Sequence, residues 1–287
     1  MAKPVVLNLA YPDKSDIRFK VSKFPDGQQS ITIESTSLVW GSDVTINSRL
    51  STFRDLELII CANKALRENA ASKVSLYSPW FIGARSDRKF EQGSTNYLKN
   101  VICPIINSQN FDKVTVLDPH SDVLEACLNN YSKINNFELV KFALTNIDNK
   151  NGARERIVLV SPDGGALKKI YDVAEHFQIS ELVTAIKHRD IKTGKITHTE
   201  VPLNPLHASG KKFVIVDDIC DGGRTFVELA KAIIQKTNDC EIYLIVTHGV
   251  FSAGFDELSK YFKRIYSTNS YSDYPETDIL TQYNIFK

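Results

Sequence analysis

One short segment of the 287-residue chain combines acids, glycines and a cation between an apolar run and a helix-period stretch. Residues 217–225 read DDICDGGRT, directly after the apolar run Phe213–Val216 and at the start of a helix-period stretch. In open α/β sheets, ligands bind at the carboxyl ends of strands, where the next helix offers free N–H groups and the positive end of its dipole. A surface turn with a capping Asp is the simpler interpretation of the same letters.

The segment supplies two sets of candidate ligands. Asp217 and Asp218 are acceptors for ribose hydroxyls and suitable ligands for Mg²⁺. The second set is expected to hold the sugar phosphate, through glycines that let an anion approach the backbone, a hydroxyl donor that also serves as N-cap, and a guanidinium fork. Its members are Asp221, Gly222, Gly223, Arg224 and Thr225.

The elements around this segment predict an α/β fold. Short β-branched runs alternate with helix-period segments, which is typical of parallel strands covered by helices. Strands are predicted at Val5–Leu9, Ser30–Glu34, Asp43–Ile46, Val74–Tyr77, Val114–Leu117, Ile157–Val160, Leu182–Ile186, Phe213–Val216 and Ile242–Val246. Helices are predicted at about Thr52–Asn69, Thr95–Gln109, Asp122–Asn130, Gly165–Phe177 and Thr225–Lys236.

Length and a polar break predict two domains. A chain of 287 residues exceeds the usual single-domain size of roughly 100–200 residues. Residues 146–154 lack periodicity and contain several turn formers, so the junction is expected there. We therefore predict two doubly wound, parallel-sheet domains, at residues 1–145 and 146–287.

Composition narrows the class of protein. The 35 Lys and Arg residues balance 34 Asp and Glu residues, so no general field favours nucleic acid or an anionic membrane as a partner. No basic segment precedes an apolar run at the N-terminus, and no run approaches the roughly 18 apolar residues of a membrane span. The five cysteines lack C-x-x-C spacing, which favours reduced thiols in a cytoplasmic protein.

Segment 217–225 resembles the ribose-5-phosphate signature shared by type I phosphoribosyltransferases and phosphoribosyl pyrophosphate synthetases, which are also called ribose-phosphate pyrophosphokinases. The resemblance implies type I phosphoribosyltransferase-like architecture for both domains. Four further segments resemble the synthetases in that family's order. They are FPDGQ at 24–28, ARSDRK at 84–89, VLDPHS at 116–121 and VSPDGG at 160–165.

These motifs imply a nucleotide site, a metal site and an assembly. In the synthetases the first motif contacts adenine across a subunit boundary, and the second contacts the nucleotide. The resemblance therefore implies ATP as diphosphate donor, Mg²⁺ held by His120 and Asp163, and a homo-oligomer of dimers that build a hexamer. The implied ATP-binding residues are Phe24, Asp26, Gln28, Arg85, Ser86, Asp87 and His120.

Residues 187–189 read KHR and resemble the Lys-Arg-Arg of a mobile loop that closes over the reacting phosphates in the synthetases. Diphosphate transfer requires charge stabilisation rather than a covalent intermediate. Lys187 and Arg189 are therefore the predicted catalytic residues. Residues 247–249 and 268–270 also resemble C-terminal elements of the family, so the likeness covers nearly the whole chain.

The resemblance implies an enzyme that transfers the β,γ-diphosphate of ATP to the 1-hydroxyl of ribose 5-phosphate. Two departures leave alternatives open: most of the first strand–helix unit is missing between Leu9 and Phe24, and Arg224 introduces a bulky cation at the predicted 5-phosphate position. ADP-ribose is accordingly a second candidate acceptor. A phosphoribosyltransferase and a non-catalytic partner subunit are further alternatives, and the retained Lys187 and Arg189 argue against the last.

Overall fold

The computed structural model describes residues 4–148, 156–189, 196–204, 208–237 and 239–286, without the side chains of Arg189, Ile196 and Thr197. The chain divides into two compact units. Unit 1 comprises residues 1–135 with 286–287, and unit 2 comprises residues 136–285.

Unit 1 is built on a five-stranded parallel sheet with the strand order β1-β4-β5-β6-β7. A separate antiparallel hairpin is formed by β2 and β3. The strands are β1 Val5–Asn8, β2 Phe19–Lys23, β3 Gln29–Ile33, β4 Asp43–Asn47, β5 Lys73–Tyr77, β6 Val114–Leu117 and β7 Tyr131–Ile134.

The helices of unit 1 include α1 Thr36–Val39, α2 Phe53–Glu68, α3 Cys103–Asn107 and α4 Val123–Cys127, with a 3₁₀ turn at Pro12–Lys14. A capping box between Thr52 and Asp55 starts α2, close to the predicted start. The single helix predicted over Thr95–Gln109 is wrong in detail, because a π-helical turn at Leu98–Ile102 precedes α3. Pro104 fits this change, since it cannot donate the regular i→i−4 hydrogen bond.

Unit 2 is built on a six-stranded sheet with the order β15-β14-β13-β12-β8-β9, in which every neighbouring pair is parallel. Its strands are β8 Ile157–Ser161, β9 Glu181–Thr184, β12 Lys211–Cys220, β13 Cys240–Gly249, β14 Arg264–Thr268 and β15 Leu280–Tyr283. A separate antiparallel pair consists of β10 Ile186–Arg189 and β11 Ile196–Glu200. The helices include α5 Phe137–Ile147, α6 Leu167–Phe177, α7 Arg224–Ile234 and α8 Asp256–Ser259.

Successive side chains of β12 contribute to hydrophobic cores on opposite faces of this sheet. Phe213 and Ile215 join a buried cluster with α7, whereas Val214 and Val216 join a second cluster with α5 and α6. Side chains of successive strand residues point to opposite faces, so one strand serves both layers. This arrangement confirms the predicted α/β class with parallel sheets covered by helices.

The division between the units falls at residues 135 and 136, before α5, whereas the sequence predicted residue 146. Leu139, Val140 and Ala143 of α5 are buried in the same cluster as Val214 and Val216 of β12. Burial of this apolar face assigns the helix to unit 2. The chain also returns to unit 1 at its end, where the Phe286 ring centroid lies 5.6 Å from that of Tyr11.

Two sequence expectations concern membranes and thiols. Among the described residues, no helix has the length and apolar character that crossing a membrane requires. All five cysteines are free thiols, and Cys103 and Cys220 are buried.

Candidate active site

The candidate site of unit 2 lies where its parallel strands end. β12 extends to Cys220, so Asp217 and Asp218 belong to the strand and not to the loop that the sequence predicted. The extension follows from pairing with β13, which continues in register from Asp217 opposite Val246 to Cys220 opposite Gly249. The loop between β12 and α7 is therefore only Asp221–Gly223.

Asp217 and Asp218 form a crowded acidic pair. Asp218 is 6% exposed, and its backbone N–H donates to Oδ1 of Asp217 at 2.9 Å. Burial raises the pKa of Asp217 well above its ordinary value, and the negative charges of Asp218 and Asp163 raise it further. A cation or a set of hydroxyl donors would relieve this repulsion, so the pair has the electrostatic character of a ligand site.

Asp163 and Lys187 form an ion pair beside these acids. Oδ1 of Asp163 accepts hydrogen bonds from the N–H groups of Gly165 at 2.9 Å and Ala166 at 3.2 Å. Oδ2 accepts from Lys187 Nζ at 2.7 Å, and the Lys187 side chain is 15% exposed. Burial alone would raise the pKa of Asp163, but Lys187 and the two N–H groups outweigh it and lower the pKa.

This pair depends on the order of the strands. Asp163 follows β8 and Lys187 follows β9, and these two strands are paired in parallel. Because the carboxyl ends of neighbouring parallel strands meet at one edge, residues 24 positions apart come into contact. Lys187 lies in β10, which pairs with β11 in antiparallel orientation.

The loop at the start of α7 is shaped by one glycine. Gly223 is the N-cap of α7 with φ +78°, and a Cβ at this position would lie 3.0 Å from Leu258 Cδ2. Thr225 is consequently the second residue of the helix and not its predicted N-cap. Arg224 and Thr225 are exposed, and their backbone N–H groups lie at the helix start, where an anion binds favourably.

Sequence reasoning missed one side chain that supports this loop. Ser252, from the loop after β13, donates its hydroxyl to Oδ1 of Asp221 at 2.6 Å. Only the tertiary structure links these positions, since 31 residues separate them.

A buried polar cluster stands at the carboxyl ends of β13 and β14. His248 Nδ1 lies 2.7 Å from Ser270 Oγ, and Thr268 Oγ1 donates to the carbonyl of Thr247 at 2.6 Å. Ser270 Oγ also donates to the carbonyl of Thr247, at 3.3 Å. These residues resemble family motifs in sequence, and in the structure they tie two neighbouring strand ends together.

The Phe24–Gln28 motif of unit 1 forms the turn of the β2–β3 hairpin. The Phe24 N–H donates to the carbonyl of Gln28 at 2.9 Å, and Asp26 Oδ1 accepts from the Gln28 N–H at 3.1 Å. The turn is held against α2, because the Gln29 N–H donates to Glu57 Oε1 at 3.1 Å. Phe24 itself is 52% exposed, so its ring is available for stacking.

Arg85, Ser86 and Asp87 lie in the loop that follows β5, and His120 lies in the loop that follows β6. The Ser86 N–H donates to the Gly83 carbonyl at 2.8 Å, and the Asp87 carbonyl accepts from Asn96 Nδ2 at 2.5 Å. Arg85 and His120 are both exposed. Because β5 and β6 are parallel neighbours, the two loops leave the same edge of the unit 1 sheet.

His120 belongs to unit 1 and Asp163 to unit 2. Their joint role as metal ligands therefore stays a prediction, as does the role of Arg189, whose side chain lies outside the described part of the structure.

Comparisons with known proteins agree with the fold and the motifs. The sequence-family model of the phosphoribosyl transferase domain matches residues 130–273, which is half of the chain. The chain therefore belongs to the phosphoribosyl transferase domain family. Within it, the curated relatives of this chain are ribose-phosphate pyrophosphokinases, which confirms the resemblance that the motifs carry.

Two relatives and one solved structure show the extent of the likeness. The ribose-phosphate pyrophosphokinase of Cereibacter sphaeroides is 29% identical over 81% of this chain and 67% of its own. That of Thermococcus kodakarensis is 26% identical over 88% of this chain and 86% of its own. This chain superposes on the crystal structure of phosphoribosylpyrophosphate synthetase from Mycobacterium smegmatis with a TM-score of 0.76 and 18% sequence identity. The alignment covers 96% of this chain and 88% of the other, so the two share a fold.

Proposed function

We propose that this chain is a ribose-phosphate diphosphokinase, which transfers the β,γ-diphosphate of ATP to the 1-hydroxyl of ribose 5-phosphate and releases AMP. One observation carries the proposal. Acids, a cation and a glycine loop that opens a helix, all expected from the sequence, occur at the carboxyl edge of a single parallel sheet, in a chain whose relatives are ribose-phosphate pyrophosphokinases.

In this proposal the sugar phosphate occupies the end of β12. Asp217 and Asp218 accept hydrogen bonds from the ribose hydroxyls, which are donors that relieve the repulsion between the two acids. The 5-phosphate is held by the backbone from Asp221 to Thr225, with the dipole of α7 favouring its charge. These contacts fix the 1-hydroxyl for in-line attack on the β-phosphorus.

Lys187 supplies positive charge to the transferring group. In the described structure its ammonium is held by Asp163 at 2.7 Å, so it is directed to this edge of the sheet before substrate arrives. Phosphate oxygens compete with the carboxylate for the same ammonium. Preorganised cations of this kind stabilise the charge that develops in the transition state.

The acids also fit a hard divalent cation. The negative charges of Asp163 and Asp218 both raise the pKa of Asp217, and carboxylate oxygens are the ligands that Mg²⁺ prefers. His120 and Asp163 would hold Mg²⁺ in this proposal, while Asp217 and Asp218 serve the ribose hydroxyls. When bound, the ion supplies positive charge to the phosphate oxygens.

ATP is proposed to bind through unit 1. Arg85, Ser86, Asp87 and His120 would contact the nucleotide and its phosphates from the loops after β5 and β6. The exposed ring of Phe24, with Asp26 and Gln28, would contact adenine in a neighbouring subunit. This arrangement requires a homo-oligomer, and dimers that build a hexamer are the assembly we propose.

ADP-ribose is the second candidate acceptor. Arg224 is exposed at the helix start where the 5-phosphate is proposed to bind, and a guanidinium there has room to contact a second phosphate. The chemistry at the 1-hydroxyl would be the same.

Product analysis tests both acceptors. The wild-type protein is incubated with ATP, Mg²⁺ and either ribose 5-phosphate or ADP-ribose, and the products are identified by mass spectrometry. We expect AMP and 5-phosphoribosyl 1-diphosphate in equal amounts from the first mixture. AMP from the ADP-ribose mixture alone would favour the second acceptor, and ADP or no AMP from either mixture would reject diphosphate transfer.

A further inference from the structure

The β10–β11 hairpin of unit 2 carries a cluster of side chains that the proposed reaction does not use. His188 of β10 lies directly opposite His198 of β11, and Glu200 stands two residues further along the same strand. Side chains alternate between the two faces of a strand pair, so His188, His198 and Glu200 share one face. Lys187 and its partner Thr199 occupy the other face.

The three side chains converge. The imidazole rings of His188 and His198 are stacked with centroids 4.1 Å apart and an angle of 8° between the planes. His188 Nε2 lies 3.2 Å from Glu200 Oε2. One donor atom from each of the three residues lies within 4.8 Å of the others, and all three side chains are accessible to solvent.

This donor set suits a transition-metal ion. Two imidazole nitrogens and one carboxylate oxygen are ligands that Zn²⁺ takes in three-residue sites, with water in the fourth position. Mg²⁺ prefers oxygen ligands alone, so the cluster selects against the ion that the transfer reaction would use. Bonds of about 2.0–2.1 Å in a tetrahedron place donor atoms about 3.3 Å apart, which rotation of these exposed side chains can achieve.

We propose that His188, His198 and Glu200 form a binding site for a divalent transition-metal ion of the zinc type across the β10–β11 hairpin. The bound ion joins the two strands through their side chains on the face opposite Lys187. The site thereby restrains the strand that presents Lys187 to Asp163, without touching the proposed reacting groups.

Zinc binding to the intact protein tests the site. Zn²⁺ alone is titrated calorimetrically into the full chain, freed of transition metals, in buffer with excess Mg²⁺ to saturate sites built from oxygen ligands. We expect one strong Zn²⁺ site per chain in the wild type. His198→Ala should weaken it at least about tenfold, because one of three protein ligands is lost, and Glu200→Gln should weaken it by a smaller factor.

His176→Ala is the matched control. His176 lies in the same unit, but its ring stacks on Phe137 at 4.2 Å and is not part of the cluster. This variant should bind Zn²⁺ as the wild type does. Bound Co²⁺ gives a second readout, since its visible absorption should be present in the wild type and absent in His198→Ala. Equal Zn²⁺ affinity in the wild type and His198→Ala, or no uptake by the wild type, would overturn the proposal, whatever the transferase activity.

Discussion

Two lysine–carboxylate ion pairs of unit 2 have nearly the same solvent exposure but lie at opposite edges of the sheet. Lys187 and Asp163 have side chains 15% and 43% exposed, and Lys211 and Glu181 have side chains 20% and 43% exposed. The first pair stands at the carboxyl edge of the sheet, beyond β8 and β9. The second joins the first residues of β12 and β9, at the amino edge.

The difference shows that position in the fold gives an ion pair its role. At the carboxyl edge, Asp163 is close enough to Asp217 to raise its pKa, and a helix start offers N–H groups beside the same strand ends. Doubly wound sheets bind ligands at this edge and not at the other. We therefore expect the Lys187 pair to serve catalysis and the Lys211 pair to serve only stability.

The largest expected effect follows from removing the cation of the carboxyl edge. Lys187→Ala should lower kcat for AMP formation by roughly 10³-fold or more, as removal of a charge-stabilising residue does in phosphoryl transfer. KM for ribose 5-phosphate should change little, because Lys187 is assigned to the transferring group. Steady-state kinetics with each substrate varied checks this. An equally large rise in KM with kcat unchanged would assign Lys187 to substrate binding instead.

The next effect concerns the buried acid of the same edge. Asp218→Asn should raise KM for ribose 5-phosphate about 10–100-fold, since a hydrogen bond to a charged group contributes about 1.5–3 kcal/mol. KM for ATP is the internal control and should stay within about twofold of the wild type. A variant with unchanged KM for the sugar would remove Asp218 from the proposed ribose site.

At the start of α7, alanine should destabilise the fold at Gly223 but not at Gly222. Gly223→Ala should lower the free energy of unfolding by about 1–2 kcal/mol, because an L-residue is strained at φ +78° and its Cβ would press on Leu258. Gly222→Ala is the control, since a Cβ there meets only ordinary contacts at 3.8 Å. Urea denaturation of both variants measures the difference, and equal losses would argue against the shape assigned to this loop.

Substitution of Asp217 is expected to stabilise the fold, by less than Gly223→Ala destabilises it. Its pKa is raised in the folded protein, so its charge destabilises the fold once the pH exceeds the ordinary carboxyl range, and the penalty is complete above the raised pKa. Asp217→Asn should therefore raise Tm by a few degrees at neutral pH while it weakens activity. At low pH the two proteins should have the same Tm. A lower Tm for the variant at neutral pH would contradict the crowding of the acids.

The sequence alone suffices to propose those parts of the candidate site that lie close together along the chain. The acids, the glycine loop and the helix after it form one continuous stretch, and Lys187 is proposed from three adjacent residues. The Lys187–Asp163 contact could not be predicted from local patterns, because it requires β8 and β9 to be neighbours. The contact of Ser252 with Asp221 has the same origin.

Element ends were predicted less well for a related reason. Where β12 stops depends on its pairing with β13 and not on its own residues. The β10–β11 hairpin was hidden in a polar stretch, since its cross-strand histidines do not resemble a buried strand. The helix α5 was missed although its apolar residues, Leu139, Val140, Ala143, Leu144 and Ile147, follow a helical period.

The most direct test of the proposal that the active site lies at the carboxyl edge of the unit 2 sheet compares variants of the two ion pairs. AMP formation from ATP and ribose 5-phosphate is compared in the wild type, Lys187→Ala and Lys211→Ala under saturating Mg²⁺. We predict that Lys187→Ala loses nearly all AMP formation, whereas Lys211→Ala forms AMP at the wild-type rate. The free energy of unfolding of Lys211→Ala should fall by at most about 1 kcal/mol, the usual contribution of a partly exposed ion pair. Equal activity in the two variants would contradict the assignment of the carboxyl edge of this sheet as the active site.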